Sequence, residues 1–137
     1  MKKVVLLSTV VLWAGIAFGQ SLQKGNLVGL HVWNLTLNPD VTMNQYKDMF
    51  VNSVIPEFQK NYPDAKMYLA KGIRGESTNS FAVIFVFETE KARDKYFNAD
   101  GSVNDAGKAA EEEMKPTMDK LNKLGTSTSK YTDWVVQ

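Results

Sequence analysis

Seven consecutive apolar residues, Phe81-Ala82-Val83-Ile84-Phe85-Val86-Phe87, constrain this chain more than any other stretch of it. The run is short for a core helix and rich in β-branched and aromatic side chains, so it reads as a strand. Alternate side chains of a strand point to opposite faces, and a strand that is apolar at every position has to be covered on both. Phe81 to Phe87, within a strand running from Ser80 to Glu88, is therefore expected in the middle of a sheet, with a hairpin partner spanning Ala65 to Arg74 and a polar turn at Gly75-Glu76-Ser77-Thr78-Asn79 between them.

The other elements follow from period and punctuation. Leu27 to Leu37 is a β-rich run stopped by Asn38-Pro39-Asp40, with Val28, Leu30 and Val32 on one face and Leu27, His31, Trp33 and Leu35 on the other. Thr42-Met43-Asn44-Gln45 has the spacing of a capping box, and Tyr46, Met49, Phe50, Ser53, Val54 and Phe58 recur at three-to-four spacing behind it. This helix is expected to kink or tighten at Pro56 and to end near Tyr62-Pro63. Thr89 caps a second helix through Tyr96 and Phe97, ended by the turn Asn98 to Ser102. A third is expected from about Asn104 to Leu124, with Ala106, Ala110, Met114, Met118 and Leu121 as its apolar stripe, Glu111 to Glu113 toward solvent, and Pro116 as a breaker. Thr126 to Ser129 reads as a loop and Lys130 to Val136 as the last strand.

The amino terminus reads as an address. Lys2 and Lys3 form a basic start, Val4 to Ile16 an apolar stretch, and Ala17-Phe18-Gly19 a small-x-small cleavage site, so 1–19 is expected to be a signal peptide of the Sec type. The apolar stretch is shorter than the roughly 20 residues that span a bilayer. A periplasmic or secreted chain of residues 20–137, forming a single domain, is the expectation. Without Lys2 and Lys3, 14 basic residues face 15 acidic ones, a balance that steers neither nucleic acid nor anionic membrane. The sequence has no Cys, which excludes disulfides, thiolate metal sites and a Cys nucleophile, and its single His excludes a two-His metal site within one chain.

The order β-α-β-β-α-β is that of the α+β ferredoxin-like fold, a four-stranded antiparallel sheet with its helices on one face. With Leu27, Trp33, Leu35, Phe81, Phe85 and Phe87 making the strands apolar on both sides, the face without helices needs a partner. A second copy supplies one symmetrically, which makes a homodimer the expected assembly. Three segments, Gly29 to Trp33, Ile55-Pro56-Glu57-Phe58 with Tyr62-Pro63, and Phe87 to Tyr96, resemble the dimeric α+β barrel superfamily. That superfamily includes the antibiotic-biosynthesis monooxygenases, the stress-responsive barrel proteins and the haem-degrading monooxygenases. The resemblance implies a homodimeric α+β barrel and a small pocket between sheet and helices, in which some members oxidise polycyclic aromatics without metal or flavin. It also raises haem, but no helix here carries a His to ligate it, and no cofactor is expected.

The candidate site is drawn from the same residues. His31, the one imidazole, and Asn34 are the candidates for a base and an oxyanion donor, and Trp33, Tyr46, Phe50, Tyr68 and Phe85 for the wall of an apolar ligand site. Asn98, Asp100 and Ser102 mimic the start of a calcium loop, yet Val103 stands where Gly is needed and Ala109 where the bidentate Glu belongs. Lys71 and Arg74 read as a solvated hairpin end. Three functions remain: a binder of a small apolar or aromatic ligand, which the absence of catalytic motifs favours; a cofactor-independent monooxygenase acting on a hydroxyaromatic compound; and a protein-interaction module.

Overall fold

The computed structural model describes residues 21–137; the leader reading of 1–19 lies outside them. Four strands form one antiparallel sheet: β1 (Leu27–Leu37), β2 (Ala65–Lys71), β3 (Phe81–Phe87) and β4 (Gly125–Val135), in the spatial order β2-β3-β1-β4. The helices are α1 (Met43–Met49), α2 (Ile55–Asn61), α3 (Glu90–Arg93) and α4 (Asp105–Asn122). This is the ferredoxin-like α+β arrangement, and the all-apolar β3 stands between β2 and β1, where a strand with two apolar faces belongs.

Register decides which residues share a face. Leu27, Gly29, His31 and Trp33 of β1 lie opposite Phe87, Phe85, Val83 and Phe81 of β3. Across the other edge of β1, Gly29, His31 and Trp33 face Asp133, Tyr131 and Ser129 of β4. All of these lie on the face that carries the helices, and Leu27, Val83 and Phe87 are buried there with Phe50, Val54 and Phe58. The reverse face carries Val28, Leu30 and Val32, the alternate β3 residues Ala82, Ile84 and Val86, and the exposed Tyr68 and Trp134. Trp33, Leu35, Phe81 and Phe85 thus belong to the helix side, and a charge at Trp33 or Phe85 would act on the core rather than on the uncovered face.

The first helical region carries the expected capping box: the Gln45 amide N–H donates to the Thr42 hydroxyl and the Gln45 side chain reaches back to the Thr42 backbone. Pro56 does not tighten this region but widens it. Phe50–Val54 is a π-helical stretch in which the Ile55 N–H donates to the Phe50 carbonyl, and α2 begins with Pro56 in its first turn. A proline can donate to no carbonyl, and a wider turn placed before it absorbs the mismatch. Phe50 and Val54 of this stretch are nearly inaccessible.

Five further expectations are corrected. The hairpin loop runs from Gly72 to Ser80, closed by Gly72 N–H to the Ser80 carbonyl at 2.9 Å and Asn79 N–H to the Gly72 carbonyl at 2.8 Å. α3 is a single turn ending at Arg93, because Phe97 leaves the helix to bridge Val103 and pack on Phe87 and Tyr62. α4 runs unbroken through Pro116, which lies on the exposed side together with Glu112, the residue whose carbonyl loses its donor. At the start of α4 the buried position is Gly107 and not Ala106: a Cβ at Gly107 would run into the Tyr96 carbonyl oxygen. The last strand begins at Gly125, so Thr126 to Ser129 is strand and pairs with Thr36 to Trp33. Every β4 residue after Gly125 is exposed, which is why no hydrophobic alternation announced it.

Candidate functional site

Between the helix side of the sheet and α4 lies a cavity of about 560 Å³. Its floor is β1 and β3, its back wall the π-helical stretch and α2, and its roof Met114 and Met118 of α4. The wall is aromatic. Trp33 meets Phe50 edge to face with centroids 4.9 Å apart, and Phe58 stacks on Tyr62 at 4.5 Å and leans on Phe85 at 5.2 Å. The wide turn forced ahead of Pro56 brings Phe50 and Val54 to the cavity, so a local backbone adjustment supplies two of its side chains.

One corner is polar. His31 stands with its ring stacked on Tyr131 at 5.0 Å and edge-on to Phe85 at 4.8 Å. Beside it Asp133 accepts from Arg93 Nε at 3.0 Å, and Arg93 also donates to the Asn98 carbonyl at 3.2 Å while lying over the Phe97 ring at 5.2 Å. The space between His31 and Asp133 exists because residue 29 is glycine: a Cβ there would stand 2.9 Å from Asp133 Oδ1 and 3.7 Å from His31 Nε2. Glycine in mid-strand gives up packing, and it recurs where something approaches the backbone closely. The Tyr131 hydroxyl lies over Gly101, so the ring spans from β4 to the Asn98 to Ser102 turn.

Burial pushes the His31 imidazole below its ordinary value of 6.5, against a smaller opposing pull from Asp133. At neutral pH the ring is therefore uncharged and offers one acceptor nitrogen. Tyr62, which also lines the cavity, is pushed up to about 12, first by burial and then by the nearby Glu111 charge and Tyr96, and keeps its proton. Among the described residues, no group of three or more His, Cys, Asp or Glu side chains is arranged to hold a metal ion, and no helix is long and apolar enough to cross a membrane.

The cavity brings together His31, Trp33, Phe50 and Phe85 of the sequence candidates. It excludes three others. Asn34 points to the reverse face of the sheet and is exposed, because it stands at the opposite parity from His31; the two cannot serve one substrate as base and donor. Tyr68, by the same parity, is 46% exposed on that face. Tyr46 is buried behind Trp33, with centroids 6.2 Å apart, and does not reach the cavity. Lys71 lies in a separate shallow depression with Lys47 and Phe81. Sequence reasoning missed Arg93, Tyr131 and Asp133. The last two become legible only once β4 is registered against Gly29 and His31.

No family model matches the sequence, and no curated protein matches it. Among solved structures, SnoaB, a cofactor-independent oxygenase from Streptomyces nogalater, aligns over 82% of this chain and 94% of its own with a TM-score of 0.50 at 15% identity. A dimeric protein of unknown function and ferredoxin-like fold from Bacteroides fragilis NCTC 9343 aligns over 82% and 97% of the two chains, with a TM-score of 0.38 at 12% identity. At such identities the likeness to SnoaB is one of fold, in agreement with the ferredoxin-like α+β sheet described above.

Proposed function

We propose that this chain is an exported protein that binds a small planar, largely apolar ligand in the cavity between sheet and α4. The observation that carries the reading is the composition of the cavity: aromatic and methionine walls with a few polar groups, gathered at the His31 corner and along α4 at the mouth, the usual make-up of a small-molecule site. Native mass spectrometry of the protein purified from its own host tests it. Retained mass that disappears in a Phe85→Trp variant, which fills the cavity, is the expected result; a chain that never carries or takes up an aromatic compound sinks the reading.

A homodimer belongs to the same proposal. Val28, Leu30, Val32, Ile84 and Val86 form an apolar surface on the side of the sheet without helices, and a second copy can cover it symmetrically. Sedimentation of the purified protein reads the assembly directly, and a monomer at micromolar concentration would oppose it. Export rests on the sequence of residues 1–19, and amino-terminal sequencing of the protein from its host should begin at Gln20.

A second reading, cofactor-independent oxygenation of a hydroxyaromatic compound, is favoured by one feature, the uncharged imidazole of His31 facing the cavity. Such a base can take a proton from a bound ligand, leaving a carbanion for oxygen to attack. The shared fold with an oxygenase that needs no cofactor supports the idea without extending to its substrate. Oxygen consumption that His31→Ala abolishes while ligand binding persists would establish it, and binding without any oxygen uptake would leave the protein a binder.

A further inference from the structure

We infer that the cavity selects an uncharged aromatic ligand that presents a hydroxyl to His31, and turns away the corresponding carboxylate; this rests on the ligand-binding reading above. The argument is an inventory of charge. Five ionised side chains line the cavity: Arg93, Lys115, Glu111, Glu112 and Asp133. Arg93 is the cation nearest the polar corner, and it is already engaged. Its side chain is 12% exposed, Nε donates to Asp133 at 3.0 Å, Nη1 donates to the Asn98 carbonyl at 3.2 Å, and Asp94 stands at 3.5 Å. An incoming anion would have to share the guanidinium with the Asp133 and Asp94 carboxylates, and so would stand beside like charge.

Lys115 stands on the exposed side of α4, one turn beyond Glu111 and Glu112, which present two negative charges to the same mouth. Like charge in a cleft with apolar walls repels an anion more strongly than it would in open water. What the polar corner still offers is an acceptor nitrogen on the His31 ring, which lines the cavity beside a residue 29 that has no side chain to cover it. A hydroxyl donates to that nitrogen, whereas a carboxylate has no proton to give and can only accept from the ring's one N–H, in a corner that already holds the Asp133 carboxylate.

Two probes of equal ring size separate these cases, 2-naphthol and 2-naphthoate, titrated into the full chain by calorimetry near neutral pH, where the first is neutral and the second ionised. The chain has a single His, so shifts of its ring signals in NMR report whether a probe reaches the polar corner. The expected result is naphthol binding at least tenfold tighter than naphthoate and shifting the His31 signals. In Glu111→Gln/Glu112→Gln, substitutions on the exposed side of α4, the gap should narrow severalfold through tighter naphthoate. Naphthoate binding as tightly as naphthol overturns the selection while leaving the cavity a ligand site. A gap unchanged in the double variant assigns the discrimination to desolvation alone and overturns the role given to the two glutamates. Failure of both probes to bind or to move the His31 signals removes the cavity reading itself.

Discussion

Val83 and Ile84 are neighbours in β3 with similar side chains, yet Val83 is 1% exposed under the helices while Ile84 stands half-buried on the side that no helix covers. The contrast extends across the sheet. The helix side holds the bulky rings of Trp33, Phe85 and Phe87; the reverse side is flatter, built around Val28, Leu30, Val32, Ile84 and Val86. Large rings set edge to face or tilted against one another line the space that is the cavity. Small aliphatic side chains, with Tyr68 and Trp134 exposed on the same face, make a surface that another such surface can meet. Apolar character on both faces therefore has two different outcomes, a hollow interior on one side and, on the other, the surface on which the proposed dimer would rest.

Substitution of these neighbours is the strongest way to break the comparison. Val83→Asp buries an unpaired carboxylate in the core and should cost more than about 4 kcal/mol, enough to unfold a domain of ordinary stability. Circular dichroism should show the loss. Ile84→Asp should leave the fold intact and shift the proposed dimer to monomer, read by sedimentation. If both variants unfold, the reverse face is not a surface at all; if Ile84→Asp stays dimeric, the contact lies elsewhere.

Truncation at the cavity wall comes next. Phe50→Ala removes a ring that is 2% exposed and enlarges a space that already exists, so it should cost about 3–5 kcal/mol by urea unfolding and disturb Trp33, its edge-to-face neighbour. Thr42→Ala tests a feature remote from both faces. It removes the hydroxyl that accepts from Gln45 N–H at 3.2 Å, and about 1 kcal/mol should be lost with no effect on assembly or cavity.

The parts of this fold that sequence made legible are those whose burial is periodic. β1 has the expected bounds, β3 is central, and the stripe of the first helical region through Tyr46, Phe50, Val54 and Phe58 is buried. The misses have physical causes. The first half of β4 is polar on both faces and owes its strand state to pairing with β1, a partner about 90 residues away in sequence. Pro116 looks disruptive in one dimension but costs little where the orphaned carbonyl belongs to an exposed residue. The site was half legible for a related reason. His31, Trp33, Phe50 and Phe85 lie on strongly patterned elements, whereas Asp133 and Tyr131 lie on the strand whose start was misread, and Asn34 was grouped with His31 by proximity in sequence despite the opposite parity.

The smallest expected effect concerns that polar corner and is the most specific. Protonated His31 is disfavoured by burial, so its folded value lies below the 6.5 of the unfolded chain. The unfolded state then binds more protons across this interval, and stability attributable to His31 is fully present above 6.5 and declines as pH falls from there toward the folded value. Asp133 opposes the shift, so Asp133→Asn should lower the imidazole value further and steepen the dependence, while His31→Gln should flatten it. NMR titration of the single imidazole measures the first, and urea unfolding across mildly acidic pH the second. A value that rises or stays fixed in Asp133→Asn would mean that the carboxylate acts on Arg93 alone, and the corner would then hold two independent pairs rather than one coupled group.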